Sequence, residues 1–185
     1  MSDWFETLPT LLDRVWQTLS RGVADANHPA RLPTFATLSP DGWPEARTVV
    51  LRAADRTAGT LEIHTDLYSG KIDSLRRTPR AALHVWIPKQ DLQIRIQAEV
   101  TIAQGEAVQA TWQRVPDPSR QSYGVTPPPG TPIPDALDYE KSPDPASFAV
   151  LTCRAARIDA VHLGERHRRA AWSRDDDWRG CWLSP

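Results

Sequence analysis

The chain has 185 residues with 22 Lys or Arg and 23 Asp or Glu, which leaves a net charge of -1 at pH 7. Without an overall positive field, nucleic acid is not expected as the main partner, but the charge balance does not exclude a local anion pocket. No apolar run reaches membrane-spanning length and the N-terminus has no signal-peptide core, so no membrane association is expected. Cys153 and Cys181 match neither a metal site nor a disulfide framework, which indicates a reducing cytoplasm and no bound metal.

An amphipathic helix is predicted over residues 4–20. Apolar side chains recur there at helical spacing, with polar side chains on the opposite face. We expect this helix to cover one side of the domain and to have no chemical role. The apolar positions are Leu8, Leu11, Leu12, Val15, Trp16 and Leu19.

A β-hairpin is predicted next. Residues 34–38 have strand character, Pro40-Asp41-Gly42 forms a turn, and the returning strand extends through Arg47 to Leu51. A second apolar run, Leu61 to Thr65, predicts another strand that ends at Asp66.

The residues after that strand have the composition of a phosphate site. Ser69-Gly70-Lys71 precedes a predicted helix near 71–77, whose first amides point outward. Together with Arg47 and Arg52, this stretch offers two guanidinium forks, one ammonium group and several hydroxyls. It is not a Walker P-loop, because Thr65 stands at the first glycine position and Ile72 replaces the Ser or Thr.

The middle of the chain predicts two more strands. Residues 81–87 are largely apolar on both faces, which is typical of a central strand, and His84 within them is interpreted as a core histidine. Residues 92–102 alternate strictly between apolar and polar side chains, which predicts a strand with one buried face.

A helix is predicted over residues 105–114, and periodicity then stops. Residues 116–145 hold nine of the 17 prolines, a pattern typical of a lid, a partner-contacting arm or a disordered segment. Strand character returns at residues 148–153, at 157–163 and in the tail. Six to eight strands with few helices predict a mainly β protein with flanking helices (α+β), an antiparallel barrel in one domain over residues 1–185.

Five segments in order resemble the FMN-binding split-barrel proteins related to pyridoxamine 5'-phosphate oxidase. They are RTVVLR, HTDLYSGK, RRTPRAALHVW, LQIRI and the ending from HRRAAW to DDDWRGCWLSP. The similarity covers roughly residues 30–185 and is greater to the shorter branch of the family than to the vitamin-B6 enzyme. It implies a split antiparallel β-barrel of the FMN-binding type, a homodimer with FMN at the subunit interface, and flavin-dependent oxidoreductase activity on an unidentified small molecule.

The resemblance also implies a set of cofactor-binding residues. Arg47 would bind the phosphate and Arg52 would also serve the cofactor, while the backbone between them runs along the flavin ring. Because five positions separate these arginines, the strand must end or bulge near one of them. Gln93 would hydrogen-bond the ring, and His162 with the HRRAAW segment would approach from the partner subunit. The full implied set is Arg47, Thr48, Val49, Val50, Leu51, Arg52, His64, Thr65, Ser69, Gly70, Lys71, Gln93, His162 and Arg168.

The chain departs from the B6 oxidases at several points. Gly70 stands where those enzymes have Arg, and His167-Arg168-Arg169 does not match their Arg-x-His pattern. Trp112, Arg114 and Ser119 match the substrate-phosphate residues only loosely. FMN binding is therefore better supported than B6 chemistry, and no catalytic residue is assigned.

Two alternatives stay open: a non-catalytic flavin-binding or sensing protein, and a haem-binding relative in which His162 or His167 is an axial ligand. The cysteines are interpreted as buried small hydrophobes. Most of the eight tryptophans are interpreted as core or dimer-interface residues.

Overall fold

The computed structural model of the protein describes residues 3–185. Four α-helices flank the sheets: α1 (Leu8–Ala24), α2 (Gly70–Arg77), α3 (Gln109–Arg114) and α4 (Asp117–Arg120). Nine strands form one sheet: β1 (Thr34–Leu38), β2 (Pro44–Thr48), β3 (Leu51–Asp55), β4 (Thr60–Asp66), β5 (Arg80–Ile87), β6 (Leu92–Gln104), β9 (Phe148–His162), β10 (Arg168–Ser173) and β11 (Cys181–Leu183). A two-stranded sheet contains β7 (Val125–Thr126) and β8 (Glu140–Lys141).

The large sheet is antiparallel and branches at β9. Its main order is β11-β10-β9-β6-β5-β1-β2, and β4 pairs with both β9 and β3. The first half of β9 thus lies between β4 and β6, and its second half between β10 and β6. This arrangement confirms the predicted mainly β fold with flanking helices and the split-barrel architecture. The prediction of a single domain stays a prediction.

The first hairpin forms as predicted, but its returning strand is shorter. Strand β1 pairs with β2 from Thr34↔Thr48 to Leu38↔Pro44, and the ladder ends there. Val49 then donates its N–H to Pro33 O at 3.1 Å, and Val50 lies outside any strand. The prediction of one continuous strand from Arg47 to Leu51 is therefore wrong, because the chain turns here from β1 towards β4.

The prediction that the strand must end or bulge between Arg47 and Arg52 is confirmed on both counts. Strand β2 ends at Thr48, and the β3–β4 register shifts between Leu51 and Ala53. Arg52 is thus the extra residue of a bulge, which redirects its side chain.

Strand β9 is continuous over 15 residues, whereas two separate strands were predicted. The apolar pattern breaks at Arg154 to Ala156 because the β6–β9 register shifts between Gln97 and Ala98 and leaves Ala156 unpaired. A bulge preserves the strand while changing which face each residue occupies.

Strand β5 is central, between β1 and β6, but it is not buried on both faces. Its residues alternate between buried and exposed positions, with Ala82 exposed and Trp86 39% exposed. His84 is half-buried, so its interpretation as a core histidine is wrong.

Helix α1 covers the core, as predicted, although it begins and ends four residues later than predicted. Its buried side chains include Leu11, Val15 and Trp16, which belong to the main core cluster with the inward residues of the strands. The Thr7 side chain caps the helix by accepting a hydrogen bond from Thr10 N at 3.3 Å.

The proline-rich segment contains more regular structure than predicted, namely α4, β7 and β8. It is anchored by a second core cluster of Val108, Val115, Tyr123, Phe148 and Val150. Of the two cysteines, Cys153 is buried, and burial raises its pKa to about 12. Cys181 is exposed, so its interpretation as a buried residue is wrong.

Candidate functional site

The start of α2 gathers hydroxyl groups around one ammonium group. Lys71 Nζ donates to Thr65 Oγ1 at 2.9 Å and to Ser69 Oγ at 2.8 Å. The two hydroxyl oxygens are 3.2 Å apart, and Ser69 Oγ also contacts Asp66 O at 2.7 Å. Strand β4 ends at Asp66, so the tight turn that follows brings strand and helix residues to one point.

A second cation approaches from β2. Arg47 Nη1 donates to Thr37 Oγ1 at 2.7 Å, and Arg47 Nη2 forms an ion pair with Glu45 Oε2 at 2.7 Å. Burial, followed by the positive charge of Arg47, holds the pKa of Lys71 below its ordinary value, while the charge of Asp66 opposes this shift. Two like charges thus lie near each other in a partly buried place.

This group suits an anion with several acceptor oxygens. Ile72 N donates to Ser69 O at 2.8 Å, and the helix dipole places partial positive charge at the start of α2. A Cβ built at Gly70 meets nothing within 4 Å, so space is open beside the helix start. We call this group the cation cradle: Thr37, Arg47, Thr65, Ser69 and Lys71.

A second polar site lies at the β3 bulge. A cleft of about 400 Å³ opens there, and three guanidinium groups line it together with a histidine and a glutamate. The net charge of the lining is positive, which favours anionic small molecules. We call it the arginine cleft, defined by Arg31, Arg52, Glu62, His64, Thr111 and Arg114.

The histidine of the arginine cleft is held in place on both sides. His64 Nε2 lies 2.8 Å from Glu62 Oε1, and this hydrogen bond lowers the pKa of Glu62. The imidazole packs edge-on against Phe148, with ring centroids 5.0 Å apart. Its Nδ1 is buried and has no hydrogen-bond partner among residues 3–185. The ring therefore forms a rigid wall of the cleft.

The predicted cofactor-binding residues fall into two groups that lie apart within a single chain. Arg47, Thr65, Ser69, Gly70 and Lys71 meet at the cation cradle, with Arg52 and His64 in the nearby arginine cleft. Thr48 and Val50 lie along the β2–β3 connection, whereas the side chains of Val49 and Leu51 point into the core.

The second group lies at the end of β9, whereas β4 pairs with the beginning of that strand. Gln93 pairs with Val161 of β9, next to the His162↔Arg168 pair of β9 and β10.

His162 and Arg168 are covered by the N-terminal segment of their own chain. Phe5 stacks on His162 with ring centroids 4.0 Å apart and an interplanar angle of 8°. The Arg168 guanidinium lies 4.7 Å from the centre of the same Phe5 ring. Their predicted approach to a cofactor from the partner subunit stays a prediction.

Sequence reasoning missed several residues of these sites. Thr37 contacts Arg47 across the β1–β2 pair, which no local motif signals. Glu62 lies two positions before His64 on the same face of β4, so its contact with His64 is local. Tyr123 lies near Arg52, and burial raises the pKa of Tyr123 while the Arg52 charge opposes that shift. Asp66 immediately follows the predicted Thr65 at the end of β4, so Asp66 and Glu62 both had a local signal in the sequence.

The chain is similar to known proteins in family, sequence and structure. The family model "Pyridoxamine 5'-phosphate oxidase, FMN-binding domain" matches residues 13–104. Pyridoxine/pyridoxamine 5'-phosphate oxidase 2 of Arabidopsis thaliana is 26% identical over 91% of this chain and 94% of that protein. The crystal structure of a pyridoxamine 5'-phosphate oxidase-related, FMN-binding protein from Nostoc punctiforme superimposes with a TM-score of 0.76 and 27% identity, over 94% of this chain and 96% of that one.

Other relatives match over a shorter stretch. Pyridoxine/pyridoxamine 5'-phosphate oxidase of Microcystis aeruginosa is 35% identical over 92 residues, which are 50% of this chain and only 41% of that protein. This chain thus matches less than half the length of that oxidase. Among residues 3–185, no helix is both long and apolar enough to cross a bilayer.

Proposed function

Because this chain belongs to the FMN-binding split-barrel family related to pyridoxamine 5'-phosphate oxidase, we propose that it binds FMN and acts as an FMN-dependent oxidoreductase on a small anionic molecule. The observation that carries the proposal is the cation cradle. It brings Arg47 and Lys71 together with two hydroxyls at a helix start.

The cradle fits the phosphate of FMN. Among residues 3–185 the hydrogen bonds of Lys71 Nζ go to hydroxyls and not to a carboxylate, so a phosphate would meet an unneutralised ammonium group. Arg47 would leave its exposed pair with Glu45 at little cost, since such pairs contribute about 0–1 kcal/mol. Gly70 adds space and no charge, so Arg47 and Lys71 supply the cationic contacts.

Bound FMN would supply the hydride chemistry, and the protein supplies binding, orientation and electrostatics. In this proposal the backbone of residues 48–51 and the side chains of His64 and Thr65 line the ring. The His64 ring is already oriented by Glu62 and Phe148, so it needs no rearrangement to serve as a wall.

We propose a homodimer with FMN at the subunit interface. The two groups of predicted residues lie at opposite ends of β9 in a single chain. Strand β4, which leads to Lys71, pairs with the beginning of β9, whereas Gln93 and Arg168 pair with Val161 and His162 at its end. A second copy could present its Gln93 group to the first copy's cradle, which would unite both groups around one cofactor.

The arginine cleft is the proposed substrate site. It adjoins the cradle through the short β2–β3 connection, and Arg52 and Arg114 line it together with Thr111. We infer that the substrate carries a phosphate or carboxylate group. The exposed free thiol of Cys181 is compatible with a reducing compartment and supports the proposal of a cytoplasmic protein.

The first test is the visible absorption spectrum before and after FMN addition and desalting. We expect about one retained flavin per chain, followed by its reduction by NAD(P)H or by a small anionic amine. A colourless protein after reconstitution would refute the cofactor proposal. Retained FMN that no donor reduces would favour the non-catalytic alternative, and a Soret band on haem addition would favour the haem-binding one.

A further inference from the structure

Asp66 connects the cation cradle to the proline-rich segment. Its buried carboxylate accepts two backbone N–H groups, Tyr68 N at 2.8 Å on Oδ1 and Gly124 N at 2.9 Å on Oδ2. Tyr68 belongs to the turn that leads into Ser69 and Lys71, whereas Gly124 lies 58 positions away along the chain. One side chain therefore holds both segments.

The same turn is held by backbone contacts. Ser69 N and Ser69 Oγ both donate to Asp66 O, at 3.2 and 2.7 Å, which fixes the hydroxyl that Lys71 contacts. Leu67 N donates to Ser147 O at 2.7 Å, on the chain that returns from the proline-rich segment. The turn is thus bonded on one side to the cradle and on the other to the base of that segment.

Residues 124–144, which we call the arm, close at a crowded base. Ser142 N donates to Gly124 O and Asp144 N donates to Tyr123 O, each at 3.1 Å. Gly124 has φ +99°, and a Cβ built there would lie 2.1 Å from Ser142 O. Only glycine therefore fits at this position.

The base of the arm also reaches the arginine cleft. Tyr123 packs in the second core cluster against Phe148, the same ring that His64 contacts. Burial raises the pKa of Tyr123, and the nearby charge of Arg52, which lines the arginine cleft, opposes this shift. A displacement at Gly124 would thus affect both the phosphate turn and the cleft wall.

We propose that Asp66 is a positioning residue that couples anion binding at the cation cradle to closure of the arm. An anion held by Lys71 and Ser69 stabilises the turn, which holds the Asp66 carboxylate in place for Gly124. Conversely, a closed arm keeps the turn in its binding geometry. The inference rests on the proposed function in that FMN is the expected ligand of the cradle.

Limited trypsin digestion measures arm opening in the intact protein. Lys141 is exposed in β8, so cleavage after it reports local opening, and cleavage after Arg56, in the distant β3–β4 turn, serves as an internal reference. With saturating FMN we expect cleavage after Lys141 to slow by about fivefold or more, the lower end of common coupling factors, with no change after Arg56.

Two variants distinguish a coupling between FMN binding and arm closure from a purely structural role of Asp66. Asp66→Asn removes the charge and one of the two acceptors, and Gly124→Ala opens the base from the arm side without touching the cradle. Each variant should lose the protection of Lys141 that FMN provides. Because coupling is reciprocal, the factor by which protection falls should equal the factor by which FMN binding weakens. A merely structural role would instead raise cleavage equally with and without FMN. Asp117→Asn, an exposed carboxylate paired with Arg120, is the matched control and should leave both quantities unchanged.

The outcomes also distinguish this inference from the proposed function. If FMN binds but does not protect Lys141, or if Asp66→Asn retains full protection, the coupling is overturned while the cofactor proposal stands. If FMN does not bind but inorganic phosphate protects Lys141, the coupling stands and the cofactor proposal falls. If neither ligand protects Lys141, the coupling is overturned. Should Gly124→Ala unfold, as increased cleavage after Arg56 would reveal, the Asp66→Asn result decides alone.

Discussion

At the scale of single residues, Arg47 and Lys71 define the candidate site through their charges. Each makes hydrogen bonds to neutral groups, and Arg47 also has one exposed carboxylate partner. Burial lowers the pKa of Lys71, and repulsion from Arg47 lowers it further. An anion bound between them would relieve both effects, since it would replace lost water and cancel charge.

Replacing Arg47 with Ala should weaken FMN binding about 10- to 100-fold, because a charge-assisted hydrogen bond contributes about 1.5–3 kcal/mol. Fluorescence titration of FMN measures this directly. Arg76→Ala, which removes an exposed arginine from the far end of α2, is the control and should bind FMN normally. Unchanged affinity in the Arg47 variant would rule out its phosphate role.

The pH dependence of FMN affinity should show two limbs. Affinity should rise up to about pH 6 as the phosphate loses its second proton. It should then fall as the pH rises through the pKa of Lys71, at a pH below the ordinary lysine range because burial and Arg47 lower that pKa. The protonated ammonium is the binding form, so deprotonation weakens binding. In Lys71→Arg the upper limb should disappear, and its persistence would assign the limb to another group.

At the scale of elements, the β2–β3 connection decides where the arginines point. One regular strand from Arg47 to Arg52 would direct them to opposite faces. Instead β2 ends at Thr48, and the bulge at Arg52 turns that side chain into the arginine cleft. Two adjacent sites therefore arise from one short sequence motif.

The arm is the second element with a testable role. Thr126 and Glu140 are paired across β7 and β8, so residues 127–139 can be replaced by a two-residue Asn-Gly turn without spreading the base. If the arm covers the flavin, iodide should quench the fluorescence of bound FMN faster in this variant. An equal quenching rate would show that the arm does not shield the cofactor. That result would leave the Asp66 coupling untouched, because the coupling depends only on the base of the arm.

At the scale of the whole molecule, the exposed face of β5 and β6 is the candidate dimer surface. Trp86 is 39% exposed there and lies opposite Gln93, which is predicted to contact the flavin. Exposed large aromatic side chains beside functional residues are typical of interfaces.

Trp86→Glu should therefore convert a dimer into a monomer and weaken FMN binding together with it. Light scattering after gel filtration gives the mass, and FMN titration gives the affinity. Trp43→Ser is the matched control, since Trp43 is 74% exposed at the tip of the β1–β2 hairpin. A wild-type protein that is monomeric with FMN bound would contradict the proposed interface site.

Local patterns predicted the elements that depend on local forces. Strict alternation identified β6, helical spacing identified the buried face of α1, and the order of five short segments predicted the family and the split barrel. The cradle residues on the β4–α2 turn could also be predicted from the local sequence, because a turn brings neighbours in sequence together in space.

The sequence by itself thus determined the fold class, the family and the polar residues of the β4–α2 turn, which we propose bind phosphate. Only the tertiary structure decided the bulge at Ala156, the exposed face of β5, and the meeting of Asp66 with Gly124. The physical reason is that register shifts, burial and contacts between distant residues depend on which strands become neighbours. A local pattern carries hydrophobicity and turn preference, but it does not contain the partner across the sheet.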